Sequence, residues 1–171
     1  MVASESQRIK YQRGEDFQNE IKRSWPLVPN TWRLRINDAG GGSRPADELV
    51  ITPQYNVLAE LKRTDKDAFH LSFLRPNQVK GLLNFELPME RNLGLVYCSF
   101  LAMDTDEDET YAFRLSTGVK FMQRVGRQQI TLKELRGFDG IPAIYLPRQI
   151  NEAGEAYYDL ERLVNECYRL S

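Results

Sequence analysis

The spacing of apolar side chains predicts a group of β-strands in the middle of the chain. Residues 31–36 alternate apolar and polar side chains, which is typical of a half-buried strand. Two short apolar runs follow at 48–52 and 56–62, with a proline between them, and they predict a hairpin of central strands. The longest apolar run covers 93–103, and 110–115 follows as an alternating strand. We therefore expect a second hairpin there.

Helical spacing predicts helices on both sides of these strands. Phe17, Ile21 and Trp25 recur at helical intervals, so we expect a helix over residues 14–25. A second helix is expected to begin at Pro76, and the last third of the chain predicts two short helical pieces, an extended segment and a terminal helix. This order predicts an α/β fold in which helices flank a mixed central sheet.

Length and composition are those of one globular domain. With 171 residues, of which 42% are hydrophobic and 27% charged, the chain has enough apolar residues for a single core. We expect a single domain over residues 14–171, preceded by a mobile polar arm over residues 1–13. Cys98 and Cys167 have neither metal-ligand nor redox spacing, and no apolar stretch reaches the length of a membrane span. These features predict a soluble, cytoplasmic protein without disulfides.

Three charged side chains lie in and beside the predicted central hairpin. Asp47 precedes its first strand, and Glu60 and Lys62 lie near the end of the second. Because strand side chains alternate between faces, Glu60 and Lys62 share one face, and antiparallel pairing brings Asp47 beside them. Paired carboxylates repel each other unless a cation or a shared proton compensates. The pattern indicates a Mg²⁺ or Mn²⁺ site for phosphodiester hydrolysis, with a surface salt bridge as the alternative.

The sequence around these residues resembles that of a nuclease superfamily. The segments PAD (45–47) and AELK (59–62) are similar to the PD-(D/E)xK signature of restriction-endonuclease-like nucleases, with Ala46 between the proline and the acid. Their surroundings resemble the RecU-type Holliday junction resolvases of Gram-positive bacteria and their phages, through the blocks RGEDFQNEI, FHLSFLRPNQVKGL, LGLVYCSFLAMD, TYAFRL and QQITLKEL. The resemblance implies a restriction-endonuclease-like core. It also implies a homodimeric, Mg²⁺-dependent endonuclease that cuts branched DNA, above all four-way junctions, by paired nicks.

The resemblance also implies roles for individual residues. Asp47 and Glu60 match the carboxylates that hold the metal, together with the backbone carbonyl of Leu61. Lys62 matches the lysine of the motif and would assist the attacking water. Gln78 matches a glutamine on the helix that follows, and its amide would bond a phosphate or a water.

Two departures from the family bear on activity. Where the family has a glutamate near the metal in its first helix, this chain has Gln18, whose amide oxygen can bind a metal but carries no charge. Glu20 is the fallback ligand. The family's long protrusion is reduced here to NDAGGGSR (37–44), which leaves flap, fork or duplex cutting open beside junction cutting. The chain is therefore either a nuclease whose site Gln18 and Gln78 complete, or a catalytically impaired DNA-binding or phage accessory protein.

Basic side chains near the site predict a face that contacts DNA. The net charge is only −1, but basic residues concentrate in the first half of the chain, whereas most acids lie in residues 104–109 and in the C-terminal third. A solvated surface is the alternative interpretation. The predicted DNA contacts are Arg13, Lys22, Arg33, Arg35, Arg44, Arg63 and Lys80.

Other kinds of site have weaker support in the sequence. His70 is the only histidine and no nucleophile motif accompanies it, so we expect a structural residue or a minor DNA contact. The segment DTDEDE (104–109) lacks the glycine and terminal glutamate of a calcium loop and predicts a solvated hairpin loop. A third interpretation is an unrelated α/β interaction module, in which the carboxylates and the lysine form only a salt bridge.

Overall fold

A computed structural model of the chain describes residues 5–37, 44–102, 105, 107–137 and 140–171. Residues 1–4 of the predicted arm, most of the glycine-rich segment 37–44, and two of the aspartates in DTDEDE lie outside these ranges.

Six strands form the central sheet within the described ranges. The strands of the chain are β1 (Trp32–Arg35), β2 (Glu48–Ile51), β3 (Asn56–Thr64), β4 (Ala68–His70), β5 (Asn92–Ala102), β6 (Glu107–Arg114), β7 (Gln129–Thr131), β8 (Ala143–Leu146), β9 (Arg148–Ile150) and β10 (Ala156–Tyr158). The sheet runs in the order β1, β2, β3, β5, β6, β8, while β4 pairs with β7 and β9 with β10. Within the sheet β3 and β5 are parallel, and the other neighbours are antiparallel. The sheet is therefore mixed.

Helices cover both faces of this sheet. They are α1 (Glu5–Ser24), α2 (Pro76–Phe85), α3 (Leu115–Val125), α4 (Leu132–Arg136) and α5 (Glu161–Glu166), with 3-10 turns at Trp25–Leu27, Leu71–Phe73 and Cys167–Leu170. One buried cluster joins α1 and α5 to one face of the sheet, and a second cluster joins α2 and α3 to the other face. The α/β fold with a mixed sheet flanked by helices is confirmed.

Both predicted hairpins and the helix at Pro76 are confirmed, but three boundaries differ. The first helix begins at Glu5, so residues 5–13 of the predicted arm are helical, and it ends at Ser24 before a 3-10 turn. The predicted terminal helix is divided, because its first residues form β10 and its last residues form a 3-10 turn. The short strands β4, β7 and β9 were not predicted.

The alternation of β3 decides which residues face each helical layer. Val57, Ala59 and Leu61 belong to the cluster on the α1 side, whereas Leu58 belongs to the cluster on the α2 side. By the same alternation, the even-numbered positions at the end of the strand point toward α2. This places the charged residues of the motif under the N-terminal turn of α2.

Candidate active site

The β2–β3 register brings the two carboxylates of the motif together. Glu48 pairs with Ala59, so Asp47 lies opposite Glu60. The Asp47 N–H donates to the Ala59 carbonyl at 3.0 Å. The Asp47 Oδ2 accepts the backbone N–H of Leu61 at 2.9 Å. The predicted approach of Asp47 to the end of β3 is therefore present in the structure.

Glu60 lies in a site that does not satisfy its charge completely. Its Oε1 accepts a hydrogen bond from the Gln78 amide at 2.6 Å and forms an ion pair with Lys62 Nζ at 2.7 Å. Its Oε2 is buried without a hydrogen-bond partner among the described residues. Burial and the nearby charge of Asp47 raise the pKa of Glu60 to about 7, against the opposing effects of Lys62 and Arg44. A buried carboxylate oxygen without a partner is costly and calls for a ligand or a proton.

Asp47 has a second set of partners on its other oxygen. Arg44 Nη2 contacts Asp47 Oδ1 at 2.8 Å, and the Gln18 amide donates to the same oxygen at 3.4 Å. The Gln18 amide oxygen accepts from Arg35 at 2.8 Å. The first helix thus directs the side chain of Gln18 at the site.

The N-terminal turn of α2 orients the amide of Gln78. Gln78 is buried, and its amide oxygen accepts the backbone N–H of Arg75 at 2.8 Å, which turns the amide nitrogen toward Glu60. Helix α2 also packs closely on the segment before Asp47. A Cβ added at Gly81 would lie 2.5 Å from the Pro45 Cβ, so only glycine permits this approach. The sequence patterns did not reveal this role of Gly81.

The donor set fits one hard divalent cation with additional water ligands. The described residues contain no group of three or more histidine, cysteine, aspartate or glutamate side chains placed to hold a metal. Asp47 and Glu60 supply two carboxylates. Because N–H and C=O of one strand residue point to the same edge, the Leu61 carbonyl is directed to the side where Asp47 lies. Oxygen donors of this kind suit Mg²⁺ or Mn²⁺. The Glu60 Oε2, which has no hydrogen-bond partner among the described residues, is the oxygen that a cation would satisfy.

Two predicted residues are occupied elsewhere. Glu20, the fallback ligand, is buried and pairs with Arg63 at 2.5 Å and with Arg148 at 2.9 Å, so its carboxylate is already engaged by two guanidinium groups. The side chain of Arg63 is only 4% exposed, and it also contacts Asp108 at 2.8 Å. These ion pairs engage the guanidinium inside the protein, and the assignment of Arg63 as a DNA contact stays a prediction.

The other predicted DNA contacts remain at least partly accessible. Lys22, Arg35 and Lys80 are exposed. The remaining three are partly exposed and already have acidic partners: Arg13 with Asp65, Arg33 with Glu48, and Arg44 with Asp47. These six residues stay predictions as a DNA-binding face.

A buried ionic network was missed by the sequence patterns. Arg63 also donates to Ser99 at 2.8 Å and to the Tyr158 hydroxyl at 3.0 Å. The Asp108 side chain has no exposed surface and accepts the Tyr158 hydroxyl at 2.5 Å. The predicted solvated loop is therefore wrong at Asp108, while Asp104 and Asp106 lie outside the described residues. The acidic residues on either side of Asp108 predict exposure to solvent, and its partner Arg63 lies far away in the sequence, on β3.

The remaining candidate residues pack within the protein or at the edge of its interior. His70 is half-buried in β4, with its ring 5.3 Å from that of Phe73. Cys98 and Cys167 are both buried free thiols, and burial raises the pKa of each. None of the helices in the described ranges is long and apolar enough to span a membrane.

Comparison with known proteins gives a limited result. The chain matches no protein-family model and no curated protein sequence. Among solved structures, it is similar to Hjc, a Holliday junction resolvase from the archaeal hyperthermophile Archaeoglobus fulgidus, with a TM-score of 0.40 and 13% identity. The alignment covers 61% of this chain and 75% of the archaeal protein. Similarity of this extent does not transfer an activity or a set of site residues.

Proposed function

We propose that this chain is a metal-dependent endonuclease that hydrolyses phosphodiester bonds in branched DNA, with Holliday junctions as the expected substrate. The observation that carries the proposal is the pairing of Asp47 with Glu60, whose buried Oε2 has no partner among the described residues. The adjacent Lys62 completes the side chains of the PD-(D/E)xK signature. A purely structural salt bridge would not require a second carboxylate or an unsatisfied oxygen.

The proposed mechanism assigns each side chain a separate task. Asp47, Glu60 and the Leu61 carbonyl would hold Mg²⁺ or Mn²⁺, which supplies positive charge to the phosphate and makes water more acidic. Lys62, 2.7 Å from Glu60, is close enough to orient the attacking water or to stabilise charge on the phosphate oxygens. Gln78 holds the Glu60 carboxylate in position through its 2.6 Å hydrogen bond.

Gln18 distinguishes this site from one with three carboxylates. Its amide lies against Asp47, but it adds no negative charge, and the number of charged ligands is one factor that sets cation affinity. We therefore propose a nuclease that binds its metal more weakly than a site with glutamate at this position. Symmetric cutting of two strands requires two such sites, so the active species would be a homodimer.

The first test is cleavage of a labelled four-way junction, a flap and a linear duplex in Mg²⁺, Mn²⁺ or EDTA, resolved on a denaturing gel. We expect metal-dependent nicks, with preference for the branched substrates. Asp47→Asn and Lys62→Ala should abolish cutting without unfolding the protein, while Lys120→Ala, an exposed lysine on α3, should cut normally. Full activity in either of the first two variants would reject the assignment.

A second candidate function is a DNA-binding protein that has lost catalysis. One observation favours it: Arg44 and Lys62 already neutralise the two carboxylates at 2.8 Å and 2.7 Å. Thermal unfolding with and without Mn²⁺ separates the two candidates, because a cation that binds only the folded state stabilises it by mass action. A nuclease should gain stability that Asp47→Asn removes, whereas an impaired site should gain none.

A further inference from the structure

A cavity of about 360 Å³ opens at the end of β3, next to the candidate active site. Its walls come from α1, the last residues of β3 and the turn that follows, the 3-10 turn after β4, and β5. The volume lies within the range of small-ligand sites and is too small for a DNA duplex. The roles proposed above use single residues of its wall, such as Lys62, but assign no ligand to the cavity itself.

The cavity and the candidate active site share one side chain. Lys62 lines the cavity, and its Nζ lies 2.7 Å from the Glu60 carboxylate. A DNA strand with its phosphate at the carboxylates would therefore place an adjoining nucleotide at the mouth of the cavity. The shared Lys62 side chain connects the cavity with the proposed reaction, and to this extent the inference rests on the proposed function.

The charges around the cavity suit a nucleic-acid backbone. Four cationic residues line its wall, namely Arg13, Lys62, Arg63 and Lys66, of which Arg63 is paired with buried acids, and Asp65 contributes one acid. Asp65 lies 3.6 Å from Arg13, so it offsets only part of this charge. Lysine and arginine side chains in such a position contact phosphates and provide affinity that falls with salt.

An aromatic side chain forms part of the cavity wall. Phe73 is half-buried and lines the cavity together with Leu101. Its ring packs at 90° against the ring of Phe69, with 5.8 Å between centroids, and this contact fixes the orientation of the Phe73 ring. Proteins that bind single strands combine a positively charged groove with aromatic rings on which bases stack. Both elements, the cations and the aromatic ring, are present in this cavity.

We propose that this cavity binds an unpaired nucleotide of the strand being cut. A linear duplex offers no such nucleotide, whereas flaps, forks and opened junctions do. The protein would then select branched DNA because Phe73 and Lys66, which line the cavity with Lys62, bind the unpaired nucleotide.

The test measures binding in EDTA, so it does not depend on cleavage. The full-length protein is titrated with a single-stranded oligonucleotide that contains 2-aminopurine, and with the matching duplex. Phe73→Leu keeps the apolar contact with Phe69 but removes the stacking face. It should weaken single-strand binding by about 5- to 150-fold, the range for losing one base–aromatic contact, and reduce the quenching of 2-aminopurine. Duplex binding should not change.

Lys66→Ala is a second variant that does not disturb the core, because Lys66 is exposed. It should lower the slope of single-strand affinity against salt by about 0.7, which corresponds to one phosphate contact. The matched controls are Tyr168→Ala, an exposed aromatic, and Lys120→Ala, an exposed lysine outside the cavity. Neither control should alter single-strand binding.

The outcomes separate this inference from the proposed nuclease activity. Phe73-dependent binding of the single strand would support the cavity even if the protein cuts no DNA. Equal losses for duplex and single strand, or no loss in Phe73→Leu and Lys66→Ala, would overturn the inference even if the protein is an active nuclease.

Discussion

Replacing Glu60 by glutamine is expected to stabilise the metal-free protein while removing its capacity to bind a cation. The Glu60 side chain has no exposed surface, and its Oε2 lacks a partner within the described ranges. Burial and the charge of Asp47 raise the pKa of Glu60 from 4.5 to about 7. Glutamine has nearly the same shape but stays neutral, so it should remove the free-energy cost of the ionised carboxylate.

The size of this effect follows from the two pKa values. A rise from 4.5 to about 7 corresponds to about 3 kcal/mol of unfolding free energy. Between these values the folded state binds more protons than the unfolded state, so the stability of the wild type falls as pH rises through this window. The gain in Glu60→Gln should therefore be about 3 kcal/mol at pH 8 and less than about 1 kcal/mol at pH 5.

Denaturant unfolding in EDTA at several pH values between 5 and 8 measures this difference. Glu161→Gln, an exposed glutamate in the first turn of α5, is the matched control and should show no such pH-dependent gain. A Glu60→Gln variant that is no more stable than the wild type at pH 8 would refute the reasoning. So would a gain that is the same at pH 5 and pH 8.

Adding Mn²⁺ should remove most of this difference in stability between Glu60→Gln and the wild type. The wild type should gain about 2.7 kcal/mol when free Mn²⁺ is 100 times its Kd, whereas Glu60→Gln should gain almost nothing. Because the cation requires ionised Glu60, its apparent affinity should fall about tenfold for each pH unit below the pKa of about 7. Isothermal titration at pH 5 and pH 6 measures that fall, and an affinity independent of pH would contradict the role of Glu60.

Three further substitutions test the surroundings of the site. Gln18→Glu adds a charged oxygen beside the two carboxylates and should raise Mn²⁺ affinity on the order of tenfold in a thermal-shift titration; an unchanged affinity would place this residue outside the coordination sphere. Gly81→Ala crowds Pro45 and should cost about 1–3 kcal/mol in denaturant unfolding and slow cleavage, whereas Gly14→Ala, which meets no neighbouring atom, should do neither. Arg63→Ala leaves buried acids unpaired and should cost about 3–5 kcal/mol by the same measurement; a loss below about 1 kcal/mol would contradict its structural role.

The paired carboxylates could be predicted because local rules determine them. Strand alternation puts Glu60 and Lys62 on one face, and the short hairpin turn leaves little freedom in how β2 pairs with β3. Asp47 must then lie at the end of the second strand. Gln18 could be placed for a similar reason, since the helical period of Phe17 and Ile21 determines which side of α1 meets the sheet.

The buried ionic network could not be predicted from local patterns. Arg63 meets Glu20 from 43 positions away and Asp108 from 45 positions away, so no periodicity connects them. Each residue alone resembles a surface charge, and the acidic neighbours of Asp108 strengthen that impression. The start of α1 at Glu5 could not be predicted either. The first turns of this helix carry few apolar residues, so no helical period of apolar side chains marks them, and the mean hydropathy of the helix is low.

In the proposed nuclease, Arg44 and Lys62 would connect metal binding with DNA binding. Without a cation, Arg44 and Lys62 are paired with the carboxylates at 2.8 Å and 2.7 Å. With Asp47 and Glu60 engaged by a divalent ion, Arg44 and Lys62 would no longer be needed to neutralise the carboxylates and would be available to contact the incoming phosphate. In the proposed nuclease, therefore, the same residues keep the metal-free site neutral and become phosphate contacts when the metal is bound. By linkage, cation and DNA should each strengthen the binding of the other.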